Sequence, residues 1–376
     1  MSMDRRTFFV ATGLGATAVT LLPAGTASAT VGMSPEEEGL LLRQARDYLA
    51  LRADQLTNAP SLFTRLSDGL QIDRESEARI HDDIEVIKAT REDHRSVDGG
   101  NASTDISVSL VEVRIDGDRL VATVEENTKL YYQNPEPDEP ECEEYWLRHD
   151  FTFLQGPSGW VMLESMPEFA GGALLPSTQA MIDTGAAPAE PEVVAEAEAP
   201  LPEVAPELEN GVGPKGLSKA NKKKVVNYAQ KYVRKYNKSY RSYKADCTNF
   251  VSQAMRAGGW KYKGSGVGAR RWNHVWYYGP AAKATSYTWA GAENWGTFAR
   301  IKSKRTRKIK MSSLAPGDIL QAAWKKGNPK DHSMIVVKTG KRSEKYLNYH
   351  TPSTKEKKLS RVKKESPGAD WYPHRT

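Results

Sequence analysis

Cysteine is almost missing from this sequence: 376 residues contain two, Cys142 and Cys247. Two thiols cannot build the disulfide framework of a small secreted scaffold, nor supply the ligand set of a structural zinc site. One bridge would be available to them. It is not expected, because Cys142 lies in the acidic, Pro-rich loop Pro135 to Glu144 and Cys247 has a chemical use described below. Long apolar runs are also scarce. The stretch from Ala11 to Leu22 is too short for a stable membrane anchor, and no other stretch approaches the ~18 apolar residues a spanning helix needs. Acidic residues are rare in one half only. Residues 215–376 hold 38 Lys and Arg against 8 Asp and Glu, a charge of +30, while residues 1–214 hold 15 against 39, a charge of −24. The overall +6 hides an acidic half joined to a basic one.

What is present divides the chain into four parts. Residues 1–29 read as a twin-arginine signal peptide: Asp4-Arg5-Arg6-Thr7-Phe8-Phe9-Val10, then the short apolar run, then Ala27-Ser28-Ala29 as a cleavage site. A secreted protein, extracellular or associated with the cell wall and without a transmembrane anchor, is the expectation. Residues 33–175 read as an acidic α+β accessory domain. Leu41, Ala45, Tyr48 and Leu49 recur at helical spacing, as do Ile80, Ile84 and Ile87. After them the period falls to two, with turns at Asp116-Gly117 and Gly156-Pro157-Ser158-Gly159, which predicts an antiparallel meander. His81, His94 and His149 stand far apart there and read as ordinary surface or core residues. Residues 176–217, rich in Pro, Ala and Glu, have no helical or strand period and read as a semi-stiff linker. Residues 218–376 form the basic domain.

That domain opens with a predicted helix, Ser218 to Tyr236. A second follows Asp246, with Phe250, Val251, Ala254 and Met255 on its buried face and Gly258-Gly259 ending it. Cys247 falls at the first helical position. There, free backbone N–H groups and the helix partial charge favour a thiolate, so a low-pKa, accessible nucleophile is expected. Strands are predicted from Gly317, from Asp331 to Lys338, and from Tyr346 to His350. With the turn centred on Lys341, His332 would face His350, and Asn348 would lie diagonally on the same face. A base with a polar orienter beside a nucleophile is what a catalytic triad requires.

Asn237 and Tyr240, the string Asp246-Cys247-Thr248-Asn249-Phe250-Val251-Ser252-Gln253, Gly258-Gly259, Gly317-Asp318, Asp331-His332 and Tyr349-His350-Thr351 together resemble the bacterial amidase domain of the papain-like, NlpC-type clan. The resemblance covers about residues 222–362. It implies an α+β papain-like domain with the cysteine at a helix start against a small antiparallel sheet. It also implies peptidoglycan or other peptide amide bonds as substrate, and needs no metal or organic cofactor. It assigns Cys247 as nucleophile and His332 as base, with His350 favoured over Asn348 as the third residue; Asn249, Gln253 and Asp331 are candidates for shaping the site. One departure concerns substrate. Gln321-Ala322-Ala323-Trp324 and the basic Lys325-Lys326-Gly327-Asn328-Pro329-Lys330 stand where many relatives carry an aromatic and a short acidic loop. Two other readings compete: a non-catalytic basic module holding anionic cell-surface polymers, and an extracellular cysteine protease or acyl transferase. Nucleic acid is not expected, since neither Lys222–Lys224 nor Arg300–Lys310 matches a nucleic-acid-binding motif.

Overall fold

The computed structural model describes residues 17–21, 33–61, 72, 74–156, 159–168, 193–197 and 216–376, which fall into two compact units divided between Met181 and Ile182. Asp4–Val10 and Ala27–Ala29 of the expected leader lie outside the described residues. Of the apolar run between them, Thr17–Leu21 is described as strand β1, parallel to the strand that starts at Asn101. No described helix is long and apolar enough to cross a membrane.

The N-terminal unit is helices on an antiparallel meander. Helix α1, Pro35–Asp54, begins in a capping box: Ser34 accepts the Glu37 N–H, and Glu37 reaches back to the Ser34 backbone. Helix α2 spans Arg74–Asp98. Strands β2 (Asn101–Asp116), β3 (Arg119–Tyr132), β4 (Cys142–Gly156) and β5 (Gly159–Pro167) then pair in sequence order. Leu41, Ala45, Tyr48 and Leu49 of α1 pack into one buried cluster with Val108, Leu110, Val124, Phe151 and Phe153 of the sheet. Each buried Leu, Val or Phe side chain among them stabilises the unit by about 1.5–3 kcal/mol through removal from water. Of the three histidines, His81 is exposed and His94 buried, and the Nε2 of buried His149 meets Glu126 Oε2 at 2.7 Å.

The C-terminal unit is mixed as well, so both units are α+β. Its first strand, β6 (Val193–Ala195), lies inside the segment read from sequence as a semi-stiff linker without strand period. The β-branched pair Val193-Val194 lets it pair antiparallel with β7 (Ser242–Tyr243), and Glu196 sits 3.6 Å from the Arg241 guanidinium. Helix α3, Lys219–Tyr232, is capped by the Ser218 side chain and buries Val225 and Ala229. It stops a turn earlier than expected, because the Tyr232 carbonyl meets His350 Nε2 at 3.0 Å instead of a helical N–H. Helix α4 is Cys247–Ala257, with Phe250, Val251, Ala254 and Met255 fully buried. Short helices α5 (Tyr287–Ala290) and α6 (Ala292–Gly296) run into a π-helical turn, Thr297–Lys302.

An antiparallel sheet then forms from β8 (Arg307–Lys308), β9 (Ile319–Ala323), β10 (His332–Thr339), β11 (Lys345–Tyr349) and β12 (Ser353–Lys358), closed by helix α7 (Leu359–Glu365) and strand β13 (Asp370–Arg375). Its order is β12-β11-β10-β9-β13-β8. The Gly317-Asp318 pair opens β9 for a structural reason. Gly317 has φ +88°, and Asp318, fully buried, pairs with Lys222 of α3 and with Arg375 of β13.

Candidate functional site

The start of α4 is organised by Asp246, though not as an N-cap. Its backbone is helical (φ −93°, ψ −5°), and its carboxylate makes no cap hydrogen bond. Oδ1 instead accepts the Tyr243 N–H at 2.9 Å and the Asn249 side-chain amide at 2.8 Å, while Oδ2 meets His350 Nδ1 at 2.6 Å. Thr351 Oγ1 accepts the Asp246 N–H at 2.9 Å. The loop before Cys247 is thereby held to helix α4 and to the end of β11.

Cys247 is buried, 4% exposed. Its Sγ lies 3.7 Å from Thr248 Oγ1 and 3.9 Å from the Asp331 carbonyl oxygen, and the Ser333 backbone N–H also points to it. The thiol thus rests on the backbone to either side of His332. The expected low pKa is not found: burial pushes the thiol up to about 11, despite help from Thr248 and Ser333, and the nearby Asp246 and Asp331 charges push the same way. A helix N-terminus contributes typically 0.3–1 kcal/mol, less than one pKa unit, so desolvation wins.

His332 opens β10, opposite Ala322 of β9. Consecutive strand positions turn to opposite faces. The Ser333 hydroxyl lies 2.9 Å from Thr248 Oγ1 on α4, while the His332 ring packs 5.2 Å from both Trp324 and Tyr349. Its Nε2 is buried without a hydrogen-bond partner, and burial pulls the imidazole down to about 3. Among the described residues no hydrogen bond joins the Cys247 thiol to this ring. Both groups rest neutral. Asp331 accepts from the Trp324 backbone N–H at 3.3 Å and, through burial, has its carboxyl raised to about 6.

The inferred hairpin register is off by at least one residue. Asn348 faces Ile335 and Leu347 faces Val336; beyond a bulge, Tyr346 faces Lys338. The turn is a 3-10 turn over Lys341–Ser343 with Arg342 and Ser343 at positive φ, and it combines with the bulge to displace the ladder. His350 therefore does not stand opposite His332. It is sandwiched between Tyr236, 4.2 Å away, and Phe250, 4.0 Å away, with its nitrogens on Asp246 and the Tyr232 carbonyl. Asn348 binds the Ala229 carbonyl and the Gln230 side chain of α3 at 3.3 Å and accepts the Glu356 N–H at 2.8 Å.

Asn249 is saturated: its amide donates to Asp246 and to the Arg241 carbonyl, and its oxygen accepts the Trp289 indole N–H at 2.7 Å. Gln253 accepts from Tyr228 at 2.6 Å. Both are joined to the protein framework. Neither cysteine is in a disulfide, and no cluster of three or more His, Cys, Asp or Glu among the described residues suits a metal ion.

Two polar chains around the thiol were not read from the sequence. One is Asp246–His350, and the other runs Thr248–Ser333–Gln321, with Gln321 donating to Ser333 at 3.0 Å and to the Ala292 carbonyl at 2.8 Å. The only local signal was a run of polar residues inside apolar strands, which marks burial without naming partners.

Residues 219–372 match the family model described as "Putative amidase domain". Over 130 residues, 34% of this chain and 40% of the relative, the sequence is 28% identical to the uncharacterized protein YhbB of Bacillus subtilis (strain 168). Over 39 residues, 10% of each chain, it is 60% identical to the uncharacterized protein YjcM of the same organism. The chain thus spans less than half the length of these curated relatives. The crystal structure of the Kfla4162 protein from Kribbella flavida aligns with 36% of this chain and 92% of its own at 15% identity, with a TM-score of 0.24, too low to bear on the fold.

Proposed function

We propose that residues 219–372, the segment matching the amidase model, hydrolyse amide bonds with Cys247 as nucleophile and His332 as base. The observation that supports this reading best is the placement of a buried thiol at the first residue of α4, against the backbone flanking a histidine whose Nε2 is buried without a hydrogen-bond partner. In this reading the Sγ proton passes to the His332 imidazole as the C–S bond forms. With thiol and imidazole both resting neutral, this transfer accompanies attack and does not precede it. The carbonyl oxygen becomes an oxyanion facing the Cys247 backbone N–H, and the C–N bond breaks as the imidazolium returns its proton to the amine. Water then releases the thioester. His350 acts through Asp246, positioning the start of α4 rather than the ring of His332.

The substrate class in this proposal is the peptide amide bonds of peptidoglycan, met outside the cell after export through the twin-arginine leader. Purified peptidoglycan incubated with the mature chain should release new amines, read by mass spectrometry, and Cys247→Ala should abolish them. Turnover surviving Cys247→Ala would sink the reading. A second reading, a non-catalytic basic module on anionic wall polymers, draws on the +30 charge of residues 215–376. It expects salt-sensitive retention on cell walls, unchanged by Cys247→Ala, and no new amines.

A further inference from the structure

One buried cation of the C-terminal unit has no counter-charge among the described residues. Arg305 is 8% exposed, and its guanidinium carbon lies 5.2 Å from the Phe298 ring centre, 5.3 Å from Trp260 and 5.8 Å from Trp276. Among the described residues no carboxylate forms an ion pair with it, and its buried Nη1 has no acceptor. Aromatic faces attract a cation through their quadrupole, but they do not satisfy a fork of N–H donors. Burial accordingly draws the guanidinium pKa down to about 10.

The neighbours deepen the deficit. Trp295 stacks on Trp260 at 5.7 Å with an interplanar angle of 6°, and His374 meets Trp295 edge-on at 5.5 Å. The indole N–H groups of Trp260 and Trp295 and the Nε2 of His374 are also buried without partners. Around His374 the charged neighbours are again cations, Arg300 and Lys330, which add to the effect of burial in lowering its pKa to about 3. A single aromatic cluster therefore carries a guanidinium Nη1 and two indole N–H donors that no acceptor among the described residues answers, beside an imidazole whose Nδ1 meets Thr306 and whose Nε2 is bare. Buried donors in folded proteins are nearly always satisfied, so the Arg305 Nη1 and the two indole N–H groups of the same aromatic cluster point to an acceptor supplied from solution.

We propose that Arg305 anchors a binding site for a small oxyanion group, a carboxylate or a phosphate, at the edge of the Trp260–Trp276–Trp295–Phe298 cluster. The guanidinium fork matches either group in bidentate fashion, and the remaining exposure of Arg305 leaves it a route from solvent. The site does not depend on the chemistry proposed for Cys247, so failure of either idea leaves the other standing.

The test titrates the mature chain with inorganic phosphate in one arm and acetate in the other, at ionic strength held constant with chloride. Tryptophan fluorescence is the readout. A saturable change in either arm is expected, and the arm that saturates at lower concentration tells phosphate from carboxylate. Arg305→Met should weaken that response about 10-fold to 100-fold, the usual worth of a charge-assisted pair, and Arg305→Lys should weaken it less. A response no different from chloride, or one unchanged in folded Arg305→Met, overturns the proposal. Should Arg305→Met fail to fold, hydrogen exchange on the wild-type chain decides: the preferred anion must protect residues 256–262 and 303–308, and no protection there counts as refutation.

Discussion

Replacing His332 by Asn should make the C-terminal unit markedly less sensitive to acid. The imidazole is 3% exposed, and burial holds it near pKa 3 instead of the ordinary 6.5. Below pH 6.5 the unfolded chain therefore binds a proton that the folded chain refuses. Stability due to this group is intact above pH 6.5 and falls as pH drops toward 3, by about 1.4 kcal/mol per pH unit and at most about 5 kcal/mol in all. That is the size of a whole domain's marginal stability. Three other groups of this unit titrate in the same range, and one of them, Glu293, has its carboxyl lowered from 4.5, burial being outweighed by Lys330, so its contribution to stability is lost as pH falls through and below that value. His374, also drawn to about 3, acts in the same direction as His332. Asp331, raised to about 6, acts oppositely, since the folded chain takes up its proton first as pH falls from 6 toward 3.8. All three remain in the variant, so the difference in slope between the two proteins isolates His332 whatever Asn does to absolute stability. Urea unfolding followed by tryptophan fluorescence at pH 7.5, 6.0, 5.0 and 4.0 would supply the slopes. Parallel slopes would refute the reasoning, because they would require a His332 that is already protonated, or already solvated, in the folded protein.

Two further outcomes follow from the same geometry. Alkylation of Cys247 by iodoacetamide should be slow at neutral pH and should accelerate only toward pH 11, because the buried thiol is pushed up to about that value; an inflection below pH 8 by mass-spectrometric labelling would contradict this. Gly258→Ala should destabilise the unit by about 1–3 kcal/mol, read as a lower melting temperature, since the new Cβ would stand 2.4 Å from Val225 Cγ2 where α3 and α4 touch; a melting temperature equal to wild type would show that the valine yields freely.

Local pattern made much of the fold legible. Alternation in the meander gave β2 to β5 because one face of each strand is buried, and Gly258-Gly259 ended α4 because Gly259 needs φ +99°. Cys247 was placed correctly at the first residue of its helix. Its electrostatics were not, because helix position is a local property whereas desolvation is set by segments brought from far along the chain. His350 shows the same limit. Its partner Asp246 lies 104 positions away, and the register that would have set it against His332 depended on a turn with two left-handed non-glycine residues and on a bulge that no residue pattern announced. Strands β8 and β13 went unread, being a two-residue pair and a six-residue segment with little alternation.

The pairing of β6 with β7 has a consequence for any peptide approaching Cys247. Ser242–Tyr243 is a strand edge just ahead of Asp246 and Cys247, the kind of edge on which an extended peptide could lay its own backbone hydrogen bonds. The chain fills that edge with Val193–Ala195 from its own interior. A strand tethered in this way competes at an effective concentration on the order of millimolar, set by the tether and not by the solution. A free peptide that pairs with Ser242–Tyr243 more weakly than about millimolar is therefore displaced by the protein itself, and only a tighter or multiply attached strand, as in a polymer, can take its place.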